Sequence, residues 1–321
     1  MAQESLQTLQ RTIWEARLPL EIRLASSECR SFDEADPYLI AYPRLSYLPL
    51  LLPRLHAFFS PSLIVDPETI SPYSGYFTYD GVPLKWHLPL GLLYDIYVLS
   101  TKDADAGTGT DNSNTSLSFK LTLHFNPPDP EKASMMMAAT PVVLHDSFIN
   151  SVKEADFLRS GTAKPIMTLG AQESRALWTS TQDNDLSTFA KIHASLMPTP
   201  GQMRNIPLRV YLPSPADQDP TKGQVKVIQS SIPPTLAIAS SQSGTAAGLR
   251  AASGGGAGQA QTLGTALHQL IPSLFPSRRT PILATPLLHG APIPMNASLE
   301  ELVRWGCYAD GWLSVVVAMR G

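Results

Sequence analysis

The chain is predicted to be an α+β protein in which two β-grasp modules flank a helix-rich middle. Three observations predict this. The order strand, strand, helix, strand, short helix, strand can be read near both ends of the 321 residues. The stretch between them carries helical periodicity instead of alternation. The length suits about two domains, at roughly 150 residues each.

The elements of the first module follow in order. Trp14, Ala16, Leu18, Leu20, Ile22 and Leu24 share one parity, with charged residues filling most of the other. Period two over this length predicts half-buried strands, with Pro19 marking a turn between them. Leu48, Leu51, Leu52, Leu55, Phe58 and Phe59 recur at helical spacing. Pro49 suits the first turn of that helix, and Pro53 is its one discordant residue. Tyr76–Tyr79 is predicted as a short strand stopped by the turn dipeptide Asp80-Gly81. Pro89 opens a second helix running to about Val98. Phe119, Leu121, Leu123 and Phe125 then alternate with polar residues, which predicts a strand with one buried face.

The far end repeats the order. Ile206–Leu212 alternates, and Val225–Ile228 supplies its hairpin partner. Thr262 is placed to cap a helix through Leu263, Leu267 and Leu270. Pro281–Thr285 reads as a strand. Ser298-Leu-Glu-Glu301 has the capping-box pattern and opens a short helix to about Trp305. Trp312–Met319 closes the module as an apolar strand. A split ferredoxin-like fold would need a second long crossover helix, which neither end offers.

In the middle, Leu144–Arg159 and about Asp185–Met197 are predicted helices, ended by Pro198 and Pro200-Gly201. On the first of these, Leu144, Phe148, Val152, Ala155 and Leu158 form the expected buried stripe. Lys153 lies roughly 160° from the stripe's centre at ~100° per residue, so it is expected in water. Phe157 sits one turn further on the same outer side, a modest mark of a contact surface. Taken alone, such a lysine is usually a solvated bystander. The expected units are 11–126, 135–200 and 205–321. Residues 100–116, and most of 213–261, are read as low-complexity insertions too polar or too Gly/Ala/Ser-rich to offset their ordering entropy.

Composition removes several function classes. A net charge of −3 and a pI near 6.2 give no bulk field for nucleic acid. Two cysteines, Cys29 and Cys307, make neither a disulfide framework nor a zinc pattern and fit a reducing cytosol. The polar residues Met1 to Thr12 do not read as a signal peptide, and no apolar run reaches a membrane span's length. The seven histidines show no metal spacing. His193, on an apolar helix face, reads as a packed residue, and Cys307, beside Trp305 and Tyr308, as a small core hydrophobe. No phosphate loop, dinucleotide fingerprint or nucleophile elbow is present, so no catalytic residue, cofactor or metal is expected. Arg320-Gly321 imitates the tail of a conjugated modifier, but a final strand running to Met319 leaves too little free chain for that role.

Several runs resemble the autophagy protein 5 family across the whole length. They are Trp14-Glu-Ala-Arg-Leu-Pro19, Pro43-Arg-Leu-Ser-Tyr-Leu48 and, most specifically, Gly81-Val-Pro-Leu-Lys-Trp-His-Leu-Pro-Leu-Gly-Leu-Leu-Tyr-Asp95. Ser147-Phe-Ile-Asn-Ser-Val-Lys-Glu-Ala-Asp156 is similar to the family's acceptor segment, with Lys153 at the acceptor position. Asn205-Ile-Pro-Leu-Arg-Val-Tyr211, Gln261-Thr-Leu-Gly264 and Leu288-His-Gly290 continue the resemblance. It implies two ubiquitin-like β-grasp domains flanking a helix-rich domain. It also implies an isopeptide bond from Lys153 to the ubiquitin-like autophagy protein 12, and binding of a helix of autophagy protein 16 in a groove. The assembly would act like an E3 factor for lipidation of autophagy protein 8 with phosphatidylethanolamine. Its setting would be cytoplasmic and peripheral on the preautophagosomal or phagophore membrane, and E2-like conjugating enzymes would bind transiently. Acyl transfer to nitrogen needs a neutral amine, whereas lysine in water is protonated at neutral pH. The conjugating enzyme would therefore supply the thioester and the desolvation, and this chain the amine. Arg159 and Lys164 are candidates to touch anionic lipid. The competing expectations are a double ubiquitin-like adaptor that is never modified, and a hydrolase built on Cys307 or a serine with a histidine.

Overall fold

The computed structural model describes residues 2–30, 35–100, 118–126, 140–213, 225–236 and 259–320. The chain begins with a helix that the alternation conceals, α1 (Ala2–Glu15). Its Trp14 is buried, with its ring 4.6 Å from that of Phe189 in the helical middle. β1 (Arg17–Leu24) is a single strand, and Pro19 lies within it instead of at a turn. Pairing of β1 with β5 (Phe119–His124) starts only at Leu20, so Pro19 has a sheet neighbour on one side alone. Proline is tolerated in such an edge stretch. The hairpin partner is β2 (Tyr38–Pro43), an edge strand whose half-exposed residues hide its periodicity.

The two prolines of the predicted first helix are both accommodated. Leu48–Leu51 forms a 3₁₀ turn that takes Pro49, and α2 (Leu52–Phe59) starts afresh with Pro53 in its first turn, where no intrahelical N–H is needed. β3 (Tyr76–Tyr79) and β4 (Val82–Pro83) are joined through Asp80 and Gly81, at φ of 48° and 78°. Those positive values explain the Asp-Gly pair. α3 (Leu90–Tyr94) continues as a π-helical turn, Asp95–Leu99. The sheet order is β2-β1-β5-β3-β4, with β1 and β5 parallel at its centre.

The last module repeats this arrangement. β6 (Ile206–Pro213) and β7 (Val225–Ile232) form the hairpin, and α8 (Leu263–Leu270) follows a two-stranded ladder of β8 (Thr235–Leu236) and β9 (Gln259–Ala260). Thr262 caps α8 as expected, its hydroxyl accepting from the Thr265 N–H at 3.3 Å. The strand expected at Pro281–Thr285 is shifted to β10 (Ala284–Leu288), because residues before Ala284 lie past the end of its pairing with β12 (Leu313–Met319). β11 (Ala291–Pro292) completes the sheet, in order β11-β10-β12-β6-β7. β12 and β6 are its parallel central pair. The helix α9 (Leu299–Gly306) forms, but the Ser298 box does not: no side chain caps it. The Leu299 N–H donates to the Gln261 carbonyl, and Glu300, next to the box acid Glu301, accepts from the Gly201 N–H and from Arg304.

Between the modules lie α4 (Pro141–Ser160), α5 (Lys164–Thr168), α6 (Ala171–Gln182) and α7 (Leu186–Leu196). The periodicity does not announce α5 and α6. α5 is barely one turn, and α6 buries Ser180 and Thr181 beside Leu177 and Trp178, which blurs its apolar stripe. The two sheet modules also touch each other directly. Arg44 donates to Asp95 at 2.5 Å, and its guanidinium lies against Gly290 in the turn between β10 and β11. Of the expected insertions, 101–116, 214–224 and 237–258 lie outside the described residues, as do 135–139 at the start of the expected middle unit.

Candidate functional site

The candidate residue, Lys153, sits well inside the long helix α4, and the sequence explains why that helix is firm. Thr140 accepts from the Val143 N–H at its start, and Gly161, at φ 73°, closes it with a left-handed cap. Leu144, Phe148, Val152 and Ala155 are buried as expected, but Leu158 is only half-buried. Asp156 and Arg159 take its place on the inner face, both with no exposed surface.

Those two charges anchor the helix. Asp156 accepts from the Ile166 N–H at 3.1 Å and from Ser160, while burial drives its carboxyl above the usual range. Arg159 Nη1 donates to the Gly311 carbonyl at 3.1 Å in the last module. The fit there is tight: a Cβ on Gly311 would lie 2.6 Å from Arg159 Nη1, and Gly311 has φ 82°. Two turns earlier, Ser151 donates to Asp310 at 2.8 Å, and its carbonyl accepts from the Trp312 indole N–H at 3.1 Å. Arg209 lies 3.8 Å over the Trp312 ring and reaches Asp310 and Glu154, each at 3.4 Å. The inner face of α4 is thus locked to the last module by a hydrogen-bonded charge network.

Lys153 faces the other way. It is exposed, and no carboxylate among the described residues lies within ion-pair distance of it. Phe157, one turn on, is 55% exposed, and Met167 on α5 is exposed as well. The geometry offers an accessible amine on a firm helix, one turn from an exposed Phe157 that has no core to fill. The expectation that Arg159 faces lipid is overturned, since Arg159 is wholly buried, whereas Lys164 is exposed. Sequence reading misses the anchoring pair, although a signal for it exists. Asp156 and Arg159 are three apart in register with Val152 and Ala155, a spacing that places them on the buried face.

Cys307, the thiol of the hydrolase expectation, does lie beside a histidine. Cys307 Sγ lies 3.5 Å from His193 Nε2. Burial pushes the thiol up to about 12, against the opposing pull of Arg159, and holds the imidazole down at about 3, with Arg159 adding to the effect. A reactive pair needs thiolate and a base near neutrality, and this environment disfavours both charged forms. His193 is stacked on Phe189, which fits the packed role expected of it. Among the described residues no group of three or more His, Cys, Asp or Glu could hold a metal, and no helix is long and apolar enough to cross a membrane.

Two clefts run between the units. One of about 380 Å³ is polar at its rim, with Lys85, Glu154, Arg209 and Asp310. The other, of about 860 Å³, lies between α1, α7 and α9, and its apolar lining includes Trp14, Leu186, Met197 and Trp305.

Comparison with known proteins gives a consistent result. Three family models match: "Autophagy protein ATG5, UblA domain" over residues 13–125, the alpha-helical bundle region over 141–199, and the UblB domain over 205–317. The chain is 51% identical to autophagy protein 5 of Aspergillus terreus over 99% of each chain. It is 52% identical to that of Neosartorya fischeri, over 99% of this chain and 97% of the other. The crystal structure of Kluyveromyces marxianus Atg5 superposes with a TM-score of 0.71 at 17% identity, covering 97% of this chain and 99% of that one, which shows the fold.

Proposed function

The chain belongs to the autophagy protein 5 family, and from that membership we propose that it is an acceptor scaffold in autophagosome formation. Its Lys153 is joined through an isopeptide bond to the C-terminal glycine of the ubiquitin-like autophagy protein 12. The observation that carries this reading is the setting of Lys153, an exposed amine free of ion pairing on a helix whose opposite face is clamped. A conjugating enzyme could approach without unfolding anything, and Phe157 gives the incoming proteins an apolar contact.

The chemistry is an aminolysis. The amine of Lys153, deprotonated in the enzyme's site, attacks the thioester carbonyl; the C–N bond forms as the C–S bond breaks, and the enzyme's thiolate leaves. The scaffold contributes no catalytic group, in keeping with the protonated thiol and neutral imidazole at Cys307 and His193. The 860 Å³ cleft suits a helix of autophagy protein 16, since Trp14, Leu186, Met197 and Trp305 provide the apolar wall that helix-in-groove recognition uses. The assembled conjugate then acts like an E3 factor in lipidation of autophagy protein 8 with phosphatidylethanolamine, at the phagophore membrane.

Mass spectrometry of tryptic peptides from the native protein tests the reading. A branched peptide at Lys153 is expected, and Lys153→Arg should abolish the band heavier by one small protein while leaving the melting temperature unchanged. An unchanged band pattern in Lys153→Arg would establish the unmodified adaptor instead.

A further inference from the structure

We propose that one end of the C-terminal β-grasp sheet is a lipid-contacting surface that seats on an anionic bilayer. Arg278, Arg279 and Arg320 meet headgroups there, and Ile282 with Leu283 enters the interface. The proposal deepens the reading above and rests on it only for the presence of a membrane at the site of action.

Charge distribution is the first observation. From Pro220 to Leu299 the chain contains no Asp or Glu, but Lys222, Lys226, Arg250, Arg278 and Arg279. A chain of net charge −3 therefore concentrates a positive segment against an acidic remainder. Such asymmetry orients a protein toward a negative surface.

Geometry gathers the relevant side chains. The loop entering β10 and the end of β12 lie side by side: the Arg320 N–H donates to the Leu283 carbonyl at 2.9 Å, and Arg320 Nη1 to the Pro281 carbonyl at 2.7 Å. Ile282 is 54% exposed, Leu283 44% and Met319 37%. The next residues inward, Ala284 and Ala318, have no exposure, so the apolar surface is confined to the end of the sheet. Arg278, Arg279 and Arg320 are exposed, and no carboxylate among the described residues pairs with them.

The loop is held in shape. Ser277 Oγ accepts from the Arg279 and Thr280 N–H groups, each at 3.2 Å. The Arg278 carbonyl presses on α8 so closely that a Cβ on Gly264 would lie 2.0 Å from it. Arg278 and Arg279 also border a cleft of about 780 Å³ whose polar lining, Thr262, Thr265, Gln259 and Asn296, is uncharged. Ile282 and Leu283 do not line that cleft. Cations around a pocket, with apolar side chains standing outside it, suit a phospholipid headgroup with acyl chains alongside better than a soluble phosphate, which has no use for the apolar pair.

The test uses the full chain with extruded vesicles of phosphatidylcholine, with and without phosphatidylserine. The unaltered protein is expected to sediment with the anionic vesicles only, and less so as salt rises. The double variant Arg278→Glu/Arg279→Glu should bind at least about tenfold more weakly. Ile282→Ser/Leu283→Ser should weaken binding as well. The Ile282→Trp variant should show an added fluorescence, relative to the unaltered protein, that brominated acyl chains quench. The proposal is overturned if neither double variant loses affinity, if phosphatidylcholine alone binds as well, if the protein sediments with neither vesicle, or if the indole introduced by Ile282→Trp stays unquenched on bound vesicles. Conjugation at Lys153, followed in the same variants, separates the two ideas. Normal conjugation with vesicle binding indifferent to these substitutions sinks only the lipid surface, and absence of any conjugate sinks only the acceptor reading.

Discussion

Arg159 shows how a residue can decide a site without touching its chemistry. It carries a charge into a fully buried position, where one guanidinium nitrogen bonds the Gly311 carbonyl and Nε and Nη2 find no partner among the described residues. Burial works against its charge, and Cys307, Asp156 and Asp310 act to hold it. Removing one partner from a buried charge network leaves the others uncompensated. Arg159→Ala is therefore expected to lower the unfolding free energy by about 3 kcal/mol, read from urea denaturation, although the residue stands nearly two turns from Lys153. Lys153→Arg should cost almost nothing by the same measurement. The contrast marks what is legible in the sequence. The outward face of α4 follows from period alone, which suffices to put Lys153 and Phe157 in water. Arg159 is misdirected toward lipid because a rule that keeps arginine outside has no knowledge of a glycine carbonyl, 152 positions along the chain, waiting for it.

At the level of elements, legibility tracks how cleanly one face is buried. β5, β6 and β12 bury one face or both and are readable, whereas β2, exposed along an edge, and α6, with hydroxyls on its inner face, are not. α1 is hidden for a different reason: Trp14 shares the parity of the strand that follows it, so two elements merge into one pattern. The junction of α8 with the arginine loop can be tested as a unit. Gly264 leaves room for the Arg278 carbonyl, and Gly264→Ala forces the two apart. Overpacking of that kind is expected to destabilise by about 2 kcal/mol. Thermal denaturation with an intact helical signal would show it, and an unchanged midpoint would mean that the loop is free to move.

For the whole molecule, the pH response is set by groups buried where the units meet. Burial holds His193 at about 3 and His289 at about 4, both below the ordinary value of 6.5. The unfolded chain takes up these protons and the folded one does not, so stability is full above pH 6.5 and falls as pH drops toward those values. Asp95, raised to about 6 by burial against the pull of Arg44, works in the opposite sense, since below pH 6 the folded state binds the extra proton. His87, likewise held at about 4 by burial, adds to the other two histidines, so the histidines outweigh the carboxyl and a net loss of about 4 kcal/mol is expected between about pH 7 and pH 5. Denaturant titrations at the two values check it, and His289→Gln should flatten the slope. The central pairs of both sheets carry a last consequence. Leu20 lies beside Phe119, and Leu208 beside Leu313. Each sheet is thus stitched at its middle by residues about a hundred positions apart, which makes closure slow. On the ribosome, neither module can complete its sheet until its final strand has emerged. The first module can close while the second is still being made, and the second waits on β12, leaving the hairpin of β6 and β7 without its central neighbour for most of that module's synthesis.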